Sequence, residues 1–161
     1  MPVSMDMIGK RGEALFSVAI TAFCSGRFWF EDTFLGAKAE ALDFSVQLIG
    51  SSVFHANFYV QVKAIAKKKR YSGKGKRRRL LVTLEAADAK KLGAMKVPAY
   101  VVGIDIVSGR AYVKNVKAGA TKGFTGISVR NRLNCNAIKI IWKEVEAFWQ
   151  TRPQGMTSSA F

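Results

Sequence analysis

Two stretches of alternating apolar and polar residues, separated by a turn sequence, constrain this chain more than any other feature. Residues 42–49 read Leu-Asp-Phe-Ser-Val-Gln-Leu-Ile, and residues 58–65 read Phe-Tyr-Val-Gln-Val-Lys-Ala-Ile. Such alternation is typical of β-strands, in which side chains two residues apart share one face of the sheet. Gly50-Ser51-Ser52 lies between the two stretches and favours a turn. The sequence therefore predicts an antiparallel hairpin.

The predicted hairpin gathers polar side chains on one face. A turn centred on residue 52 or 53 places Asp43 opposite Gln61 or Lys63. Either register brings a carboxylate, an amide and an ammonium together, with Cβ atoms roughly 4.5–8 Å apart. A slip of one residue would move them to opposite faces.

Metal-assisted phosphodiester hydrolysis is one chemistry that this cluster suits. Mg²⁺ prefers hard oxygen ligands and keeps several of its waters. Asp43 supplies a carboxylate, Gln61 an amide oxygen and Val62 a backbone carbonyl, while Lys63 could orient the attacking water or offset charge on the phosphorane. With this chemistry, the expected cofactor is Mg²⁺ or Mn²⁺. The alternative is a half-buried sheet whose polar face simply meets solvent.

Glu13 is a further candidate ligand. Its neighbourhood predicts a helix over residues 7–25 that ends at Ser25-Gly26. Glu13 shares the apolar stripe of this helix with Phe16 and Ile20. A carboxylate on such a stripe needs a partner or a metal. Alternatively it stays wet in the first turn, where the helix dipole favours a negative charge.

The ordered set of motifs resembles the PD-(D/E)XK nuclease superfamily. The family pattern opens with a helix bearing Gly-Glu, here Gly12-Glu13, continues to a strand aspartate, Asp43, and then to a glutamine-variant strand, here residues 60–64, Val-Gln-Val-Lys-Ala. Mrr-type endonucleases and a widespread bacterial family of restriction-endonuclease-like domains carry this variant. The resemblance covers roughly residues 7–117.

This resemblance implies both a fold and roles for the residues. The fold is an α/β, restriction-endonuclease-like α-β-β-β-α-β core with a mixed central sheet. Asp43, Gln61 and Glu13 would bind the metal, and Lys63 would be the catalytic lysine. The implied activity is DNA cleavage, in restriction or defence against mobile elements. Ala41-Leu42 stands where the family name has proline, and Gln61 removes one negative charge, so a binding-only descendant is the alternative.

A basic segment predicts the partner. The chain carries a formal net charge of +15, and residues 67–79 hold nine basic side chains and no acid. These are Lys67, Lys68, Lys69, Arg70, Lys74, Lys76, Arg77, Arg78 and Arg79. Gly73 and Gly75 predict a flexible loop, which would clamp the phosphates of nucleic acid. The resemblance to the nuclease family favours DNA as this nucleic acid. The alternatives are a solvated loop, an import signal, or a basic RNA-associated protein in which Gln-x-Lys is coincidental.

The remaining elements complete a single domain over residues 1–150, followed by a flexible tail over 151–161. Thr83 is the predicted N-cap of a helix reaching Leu92. Strands are expected over residues 100–106 and 111–116, with Asp105 forming a turn. An amphipathic helix over residues 136–150 carries an apolar stripe that predicts core packing, or alternatively a homodimer seam.

Several classes are excluded or disfavoured. No apolar run approaches the roughly 18 uncharged residues of a membrane span, and residues 1–11 lack the apolar core of a secretory signal. His55 is the single histidine and cannot build a zinc finger or an HNH-type metal site. Cys24 and Cys135 lack Cys-x-x-Cys spacing, which predicts free thiols in a reducing compartment. We therefore expect a cytoplasmic protein.

Overall fold

A computed structural model describes residues 4–36 and 39–151 of the chain. These residues form a mixed α/β structure, which confirms the predicted fold class. Its α-helices are α1 (Met5–Ile20), α2 (Ala86–Gly93) and α3 (Cys135–Gln150). Its strands are β1 (Phe23–Cys24), β2 (Arg27–Phe28), β3 (Phe30–Phe34), β4 (Phe44–Leu48), β5 (Asn57–Ile65), β6 (Tyr71–Ser72), β7 (Arg79–Leu80), β8 (Ala99–Asp105), β9 (Arg110–Val116) and β10 (Ile127–Ser128).

The central sheet has five strands in the order β3-β4-β5-β8-β9. Neighbouring strands are antiparallel except β5 and β8, which run parallel. A parallel pair needs a crossover connection, and α2 lies in the connection from β5 to β8. Strand β8 is buried along its whole length, as expected for the mostly apolar central strand.

The predicted hairpin forms between β4 and β5 with the first of its two expected registers. Phe44 pairs with Val60 and Gln47 pairs with Asn57, so the turn is centred on residue 52. The ladder ends at the Phe44–Val60 pair, and Asp43, the residue before Phe44, lines the same cavity as Gln61. Burial fixes which side chains face the core, because Phe44 and Val60 belong to the apolar core and a slip of one residue would expose them.

Helix α1 covers one face of the sheet at close range. Its N-terminus is capped by Ser4, whose side chain accepts a hydrogen bond from the Met7 N–H. Gly12 faces β5, and a Cβ atom placed on Gly12 would lie 2.6 Å from the Ala64 Cβ. The absence of a side chain at Gly12 therefore sets the approach of α1, with Phe16 buried in the core one turn later.

A small three-stranded sheet, in the order β10-β7-β6, covers the opposite face together with α2. It packs directly over Gly103 of β8. A Cβ on Gly103 would lie 2.9 Å from Val82, 3.0 Å from Leu80 and 3.2 Å from Ile127. The basic segment thus folds into β6 and β7, joined through a 3-10 turn at Gly75–Arg77. The prediction of an open loop there was wrong.

Two helix boundaries also differ from the predictions. Helix α1 ends at Ile20 rather than near residue 25, and Ser25 and Gly26 form the turn of the β1–β2 hairpin. Both turn residues have positive φ, 52° and 79°, as a tight two-residue hairpin turn requires. Helix α2 starts at Ala86 after Glu85, so Thr83 is not its N-cap.

The cysteines are bonded rather than free. Cys24 and Cys135 form a disulfide across a sequence separation of 111 residues, which corrects the prediction of two isolated thiols. The bond joins β1 to the first residue of α3, two elements that are distant in the chain. The prediction of a reducing compartment depended on free thiols, and the structure does not support it.

Helix α3 packs as predicted. Its buried residues include Ile138, Ile141 and Val145. The Trp149 indole donates to the Asn57 carbonyl at 2.8 Å, and the Trp142 indole donates to the Ile49 carbonyl at 3.1 Å. The stripe thus belongs to the core of the chain. Within residues 4–36 and 39–151, no helix has the length and apolarity that crossing a membrane requires. The predicted tail beyond residue 151 lies outside the described residues.

Candidate metal and nucleic-acid site

The site forms where β5 extends past β4. The ladder between these two strands runs from Gln47–Asn57 to Phe44–Val60, whereas the ladder of β5 with β8 continues to Ile65. The chain enters β4 through Ala41, which has a positive φ of 62°. This conformation is unfavourable for a non-glycine residue. Ala39, Ala41 and Leu42 line the cavity that is described below.

Asp43 lies just before the first residue of β4, and its backbone is hydrogen-bonded to residues on both sides of it. Its N–H donates to the Val60 carbonyl at 3.0 Å, and its carbonyl accepts from the Leu35 N–H at 2.8 Å. Its Oδ2 accepts from the Val62 N–H at 2.6 Å. The carboxylate thereby takes the hydrogen bond that a continuing β4 would otherwise supply. Its position is fixed by the sheet.

Gln61 is buried beside Asp43 and is incompletely hydrogen-bonded. The side chain is 7 % exposed, and its Nε2 donates to Asp88 Oδ2 at 3.3 Å. A carboxylate oxygen can only accept, so the amide nitrogen must face Asp88. Gln61 Oε1 is buried and has no hydrogen-bond partner among the described residues. Leaving such an acceptor unpaired costs about 1–3 kcal/mol, which a ligand in the adjacent cavity would offset.

Asp88 connects Gln61 with Lys63. The Lys63 Nζ lies 3.6 Å from Asp88 Oδ2, the same oxygen that accepts from Gln61. Asp88 stands in the first turn of α2. Sequence reasoning did not select it. The signal that could have found it is its place in the first turn of the helix that crosses over from β5.

Glu13 faces the same cavity from α1. This cavity measures about 430 Å³, and Glu13, Asp43 and Gln61 all contribute to its wall. Asp6 and Lys10 also line it and form an ion pair with each other at 2.8 Å. The close approach of α1 at Gly12 is what brings Glu13 toward the end of β4.

Two of the carboxylates that line the cavity, those of Asp43 and Glu13, are poorly compensated. Burial raises the pKa of Asp43, and the Val62 N–H and the charge of Lys63 oppose this rise only in part. Burial also raises the pKa of Glu13, and the charge of Asp43 adds to the effect. Both shifts indicate a place where negative charge lacks a nearby cation.

The oxygen donors fit a hard divalent cation, although they do not form a cluster of acids. Within the described ranges, no group of three or more His, Cys, Asp and Glu side chains could hold a metal ion. The predicted oxygen donors are the carboxylates of Asp43 and Glu13, the unpartnered amide oxygen of Gln61 and the backbone carbonyl of Val62. Mg²⁺ commonly uses one or two carboxylates and completes its shell with water.

The basic residues divide into different environments. Lys67, Lys68 and Lys69 are exposed ahead of β6, and Lys74, Lys76, Arg77 and Arg79 are also exposed. Arg70 instead forms an ion pair with the buried Asp105 at 2.8 Å. Arg78 stacks over the ring of Tyr71, with its guanidinium carbon 4.4 Å from the ring centre. Asp105 also accepts from the Val107 N–H, which confirms its predicted role in the turn.

Comparison of the chain with protein-family models, with curated proteins and with solved structures finds no match.

Proposed function

We propose that this protein is a Mg²⁺- or Mn²⁺-dependent nuclease that hydrolyses phosphodiester bonds, with DNA as substrate. One observation carries the proposal: the Gln61 carbonyl oxygen is buried and unpartnered in the described part of the chain, beside two carboxylates with raised pKa values. This is the environment expected of ligands awaiting a cation. The element order supports it, because a helix, three antiparallel strands, a crossover helix and a parallel strand follow one another as in the restriction-endonuclease-like core.

Each residue has a distinct part in the proposed reaction. Asp43 and Gln61 would hold the metal from the sheet, and Glu13 would complete the set from α1. When bound, the metal would lower the pKa of a coordinated water and stabilise the developing negative charge. Lys63 would place its ammonium against a phosphate oxygen. Asp88 would position both Gln61 and Lys63, because one of its oxygens contacts the two side chains.

A nucleic-acid-binding module with reduced catalysis is the second candidate. The observation that favours it is Gln61 itself, because an amide contributes no charge where the family pattern has an acid. In this reading the cavity would bind metal weakly, and the basic surface would account for the function. A basic RNA-associated protein, in which Gln-x-Lys is coincidental, is the third.

A cleavage assay on the full chain tests the proposal. Supercoiled DNA, linear duplex, single-stranded DNA and RNA would each be incubated with Mg²⁺, Mn²⁺ or EDTA. We expect metal-dependent cleavage that Asp43→Ala abolishes. Binding of the substrate in EDTA should persist or tighten in this variant, because Asp43 also repels phosphate.

Asp32→Ala is the matched control, since Asp32 lies on the neighbouring strand β3 and is not among the residues that line the cavity. It should cleave like the wild type. Cleavage that survives Asp43→Ala would refute the site. A wild type that binds DNA but cleaves none of the substrates would favour the binding module.

A further inference from the structure

A second cavity, which we call the arginine pocket, lies where β8 ends and the chain turns into β9. It measures about 410 Å³. Four arginines and two tyrosines line it, namely Arg70, Arg78, Arg110, Arg132, Tyr71 and Tyr112. Arg70 and Arg78 come from the basic segment, Arg110 from the start of β9 and Arg132 from the residues that precede α3, so the fold brings three separate parts of the chain together in the pocket.

One buried acid organises the floor of this pocket. Asp105 is 0 % exposed, and its Oδ2 accepts from the Tyr71 hydroxyl and the Ser108 hydroxyl, each at 2.8 Å. Its Oδ1 accepts from the Val107 N–H at 3.0 Å and lies 2.8 Å from Arg70 Nε. Burial acts to raise the pKa of Asp105, but the hydrogen bonds from Ser108, Tyr71 and Arg70 outweigh burial and lower it. The ionised acid is therefore fully occupied by its own donors.

The contacts of Tyr71 and Tyr112 fix the direction in which each hydroxyl group donates its proton. The Tyr71 hydroxyl proton is donated to Asp105, so the 3.3 Å contact between Tyr71 and Tyr112 requires Tyr112 to be the donor. Neither hydroxyl proton is free to bind an anion. The ring of Tyr71 serves instead as a platform for Arg78, which stacks on it at 4.4 Å.

Three guanidinium groups are left without an acid. Arg78, Arg110 and Arg132 make no ion pair within 4.0 Å with any carboxylate of the described residues. Asp105 is matched by Arg70, so the lining carries three uncompensated positive charges. Guanidinium groups that converge in this way fit the oxygens of a phosphate, which they can bind in pairs.

We propose that the arginine pocket binds a phosphate group of a nucleic-acid strand, outside the site of cleavage. The inference rests on the proposed function in so far as both need a nucleic-acid ligand. Gln61 pairs with Val101, and Ile65 pairs with Asp105. The pocket is therefore four residues, or roughly 13 Å, farther along the same strands. On duplex DNA this corresponds to about four base pairs of rise, so a strand could reach both places at once.

The phosphate could come from two sources with the same chemistry. One is an internal phosphodiester of a continuous strand, and the other is a terminal 5′-phosphate. An internal phosphate would make the pocket a general clamp. A terminal phosphate would make it a reader of strand ends that positions cleavage at a fixed distance from the end.

The test measures binding alone, without divalent metal. Fluorescein-labelled 20-base-pair DNA duplexes, with either a 5′-hydroxyl or a 5′-phosphate, would be titrated by anisotropy in EDTA at several salt concentrations. The variant is Arg110→Gln with Arg132→Gln, two exposed residues that the fold does not use in ion pairs among its described residues. The control is Arg11→Gln with Lys143→Gln, which removes the same charge from exposed positions on α1 and α3. Circular dichroism confirms folding.

We expect the pocket variant to lose about 0.9 from the slope of log affinity against log salt, because the pocket holds one phosphate and each duplex phosphate contact contributes about 0.9. Affinity at 0.1 M salt should fall by roughly tenfold, and the control should change far less. A loss confined to the 5′-phosphate duplex assigns the pocket to strand ends, whereas an equal loss on both duplexes assigns it to internal phosphates.

The proposal fails if the pocket variant and the control behave alike, or if the wild type binds neither duplex. Because no metal is present, this outcome is separate from the fate of the nuclease. Cleavage with no dependence on Arg110 and Arg132 would refute the pocket alone. Pocket-dependent binding without cleavage would refute the nuclease alone.

Discussion

Replacing Gly12 with alanine should disturb both the fold and the site, because Gly12 sets the distance between α1 and β5. An added Cβ would lie 2.6 Å from the Ala64 Cβ and 3.6 Å from Val62 Cγ1. Two methyl carbons normally approach to about 3.5–4.0 Å, so the helix must retreat by roughly 1 Å. Ala64 cannot swing aside, since its Cβ is fixed to the backbone of a central strand.

Two opposing effects set the size of the change in stability. Alanine in a helix interior is favoured over glycine by about 0.8–1.0 kcal/mol. Overpacking of a closely packed contact costs typically 1–3 kcal/mol. The free energy of unfolding should therefore lie between unchanged and about 2 kcal/mol below that of the wild type. A retreat of about 1 Å would also carry Glu13 away from Asp43, and a misplacement of this size can lower activity about a hundredfold.

Gly9→Ala is the matched control on the same helix. A Cβ at Gly9 meets nothing within 4 Å, so the helix preference acts alone and should raise the free energy of unfolding by about 1 kcal/mol. Urea denaturation followed by tryptophan fluorescence would measure both variants, and the cleavage assay would follow the site. If the two variants agree within about 0.5 kcal/mol and cleave equally, the account of Gly12 is wrong.

Three further predictions follow from particular contacts. Replacing Cys24 and Cys135 together by serine should lower the free energy of unfolding by about 4–5 kcal/mol, because the bond no longer restricts the entropy of the unfolded chain over a loop of 111 residues. Urea denaturation measures this loss. Reactive thiols in the untreated folded wild type would contradict the bond. Gln61→Glu should keep the fold and raise Mg²⁺ affinity roughly tenfold, because a carboxylate replaces a neutral ligand; calorimetry showing unchanged or weaker binding would remove Gln61 from the ligand set. Asp43→Asn should raise the urea midpoint at pH 7 in EDTA but not near pH 3. The raised pKa means that the folded state disfavours the ionised carboxylate, so the wild type loses stability as pH rises through the unfolded pKa toward the folded one. An equal midpoint difference at both pH values would rule this cause out.

The central hairpin could be predicted because two local signals agree on it. Alternation assigns Phe44 and Val60 to the core, and the turn sequence at residues 50–52 leaves only two registers that keep Asp43 and Gln61 on one face. These two registers differ by two residues and bury the same side chains, so the local pattern does not select between them. Helix α3 was predictable for a similar reason, since its apolar stripe repeats with helical spacing over sixteen residues.

The elements that escaped prediction depend on contacts between distant parts of the chain. Strands β6 and β10 have two residues each, and each becomes a strand because it pairs with β7, which lies between them. The disulfide likewise joins segments 111 residues apart. Local pattern carries no information about such partners, and short strands lack the length that makes alternation visible.

Asp88 shows the same limit within the site. Its sequence context marks it only as an acid in the first turn of a helix, a common place for a negative charge. Its role arises because the crossover of α2 sets that turn over Gln61 and Lys63. The motif gives residues on α1, β4 and β5 or beside them, whereas Gln61 and Lys63 are contacted by Asp88 on α2, a helix for which the motif specifies no residue.

The distribution of charge links the two cavities. Around the candidate metal site, four carboxylates face two ammonium groups, which leaves two negative charges; the acids are Asp6, Glu13, Asp43 and Asp88, and the bases are Lys10 and Lys63. The chain as a whole carries +15. A net negative cavity in so basic a protein repels a polyanion unless a cation occupies it, and one divalent ion would balance it. Nucleic acid held by the arginine pocket and the basic segment would then approach the cavity only in the metal-bound state. Metal and substrate should therefore bind cooperatively, because each reduces the electrostatic cost of binding the other.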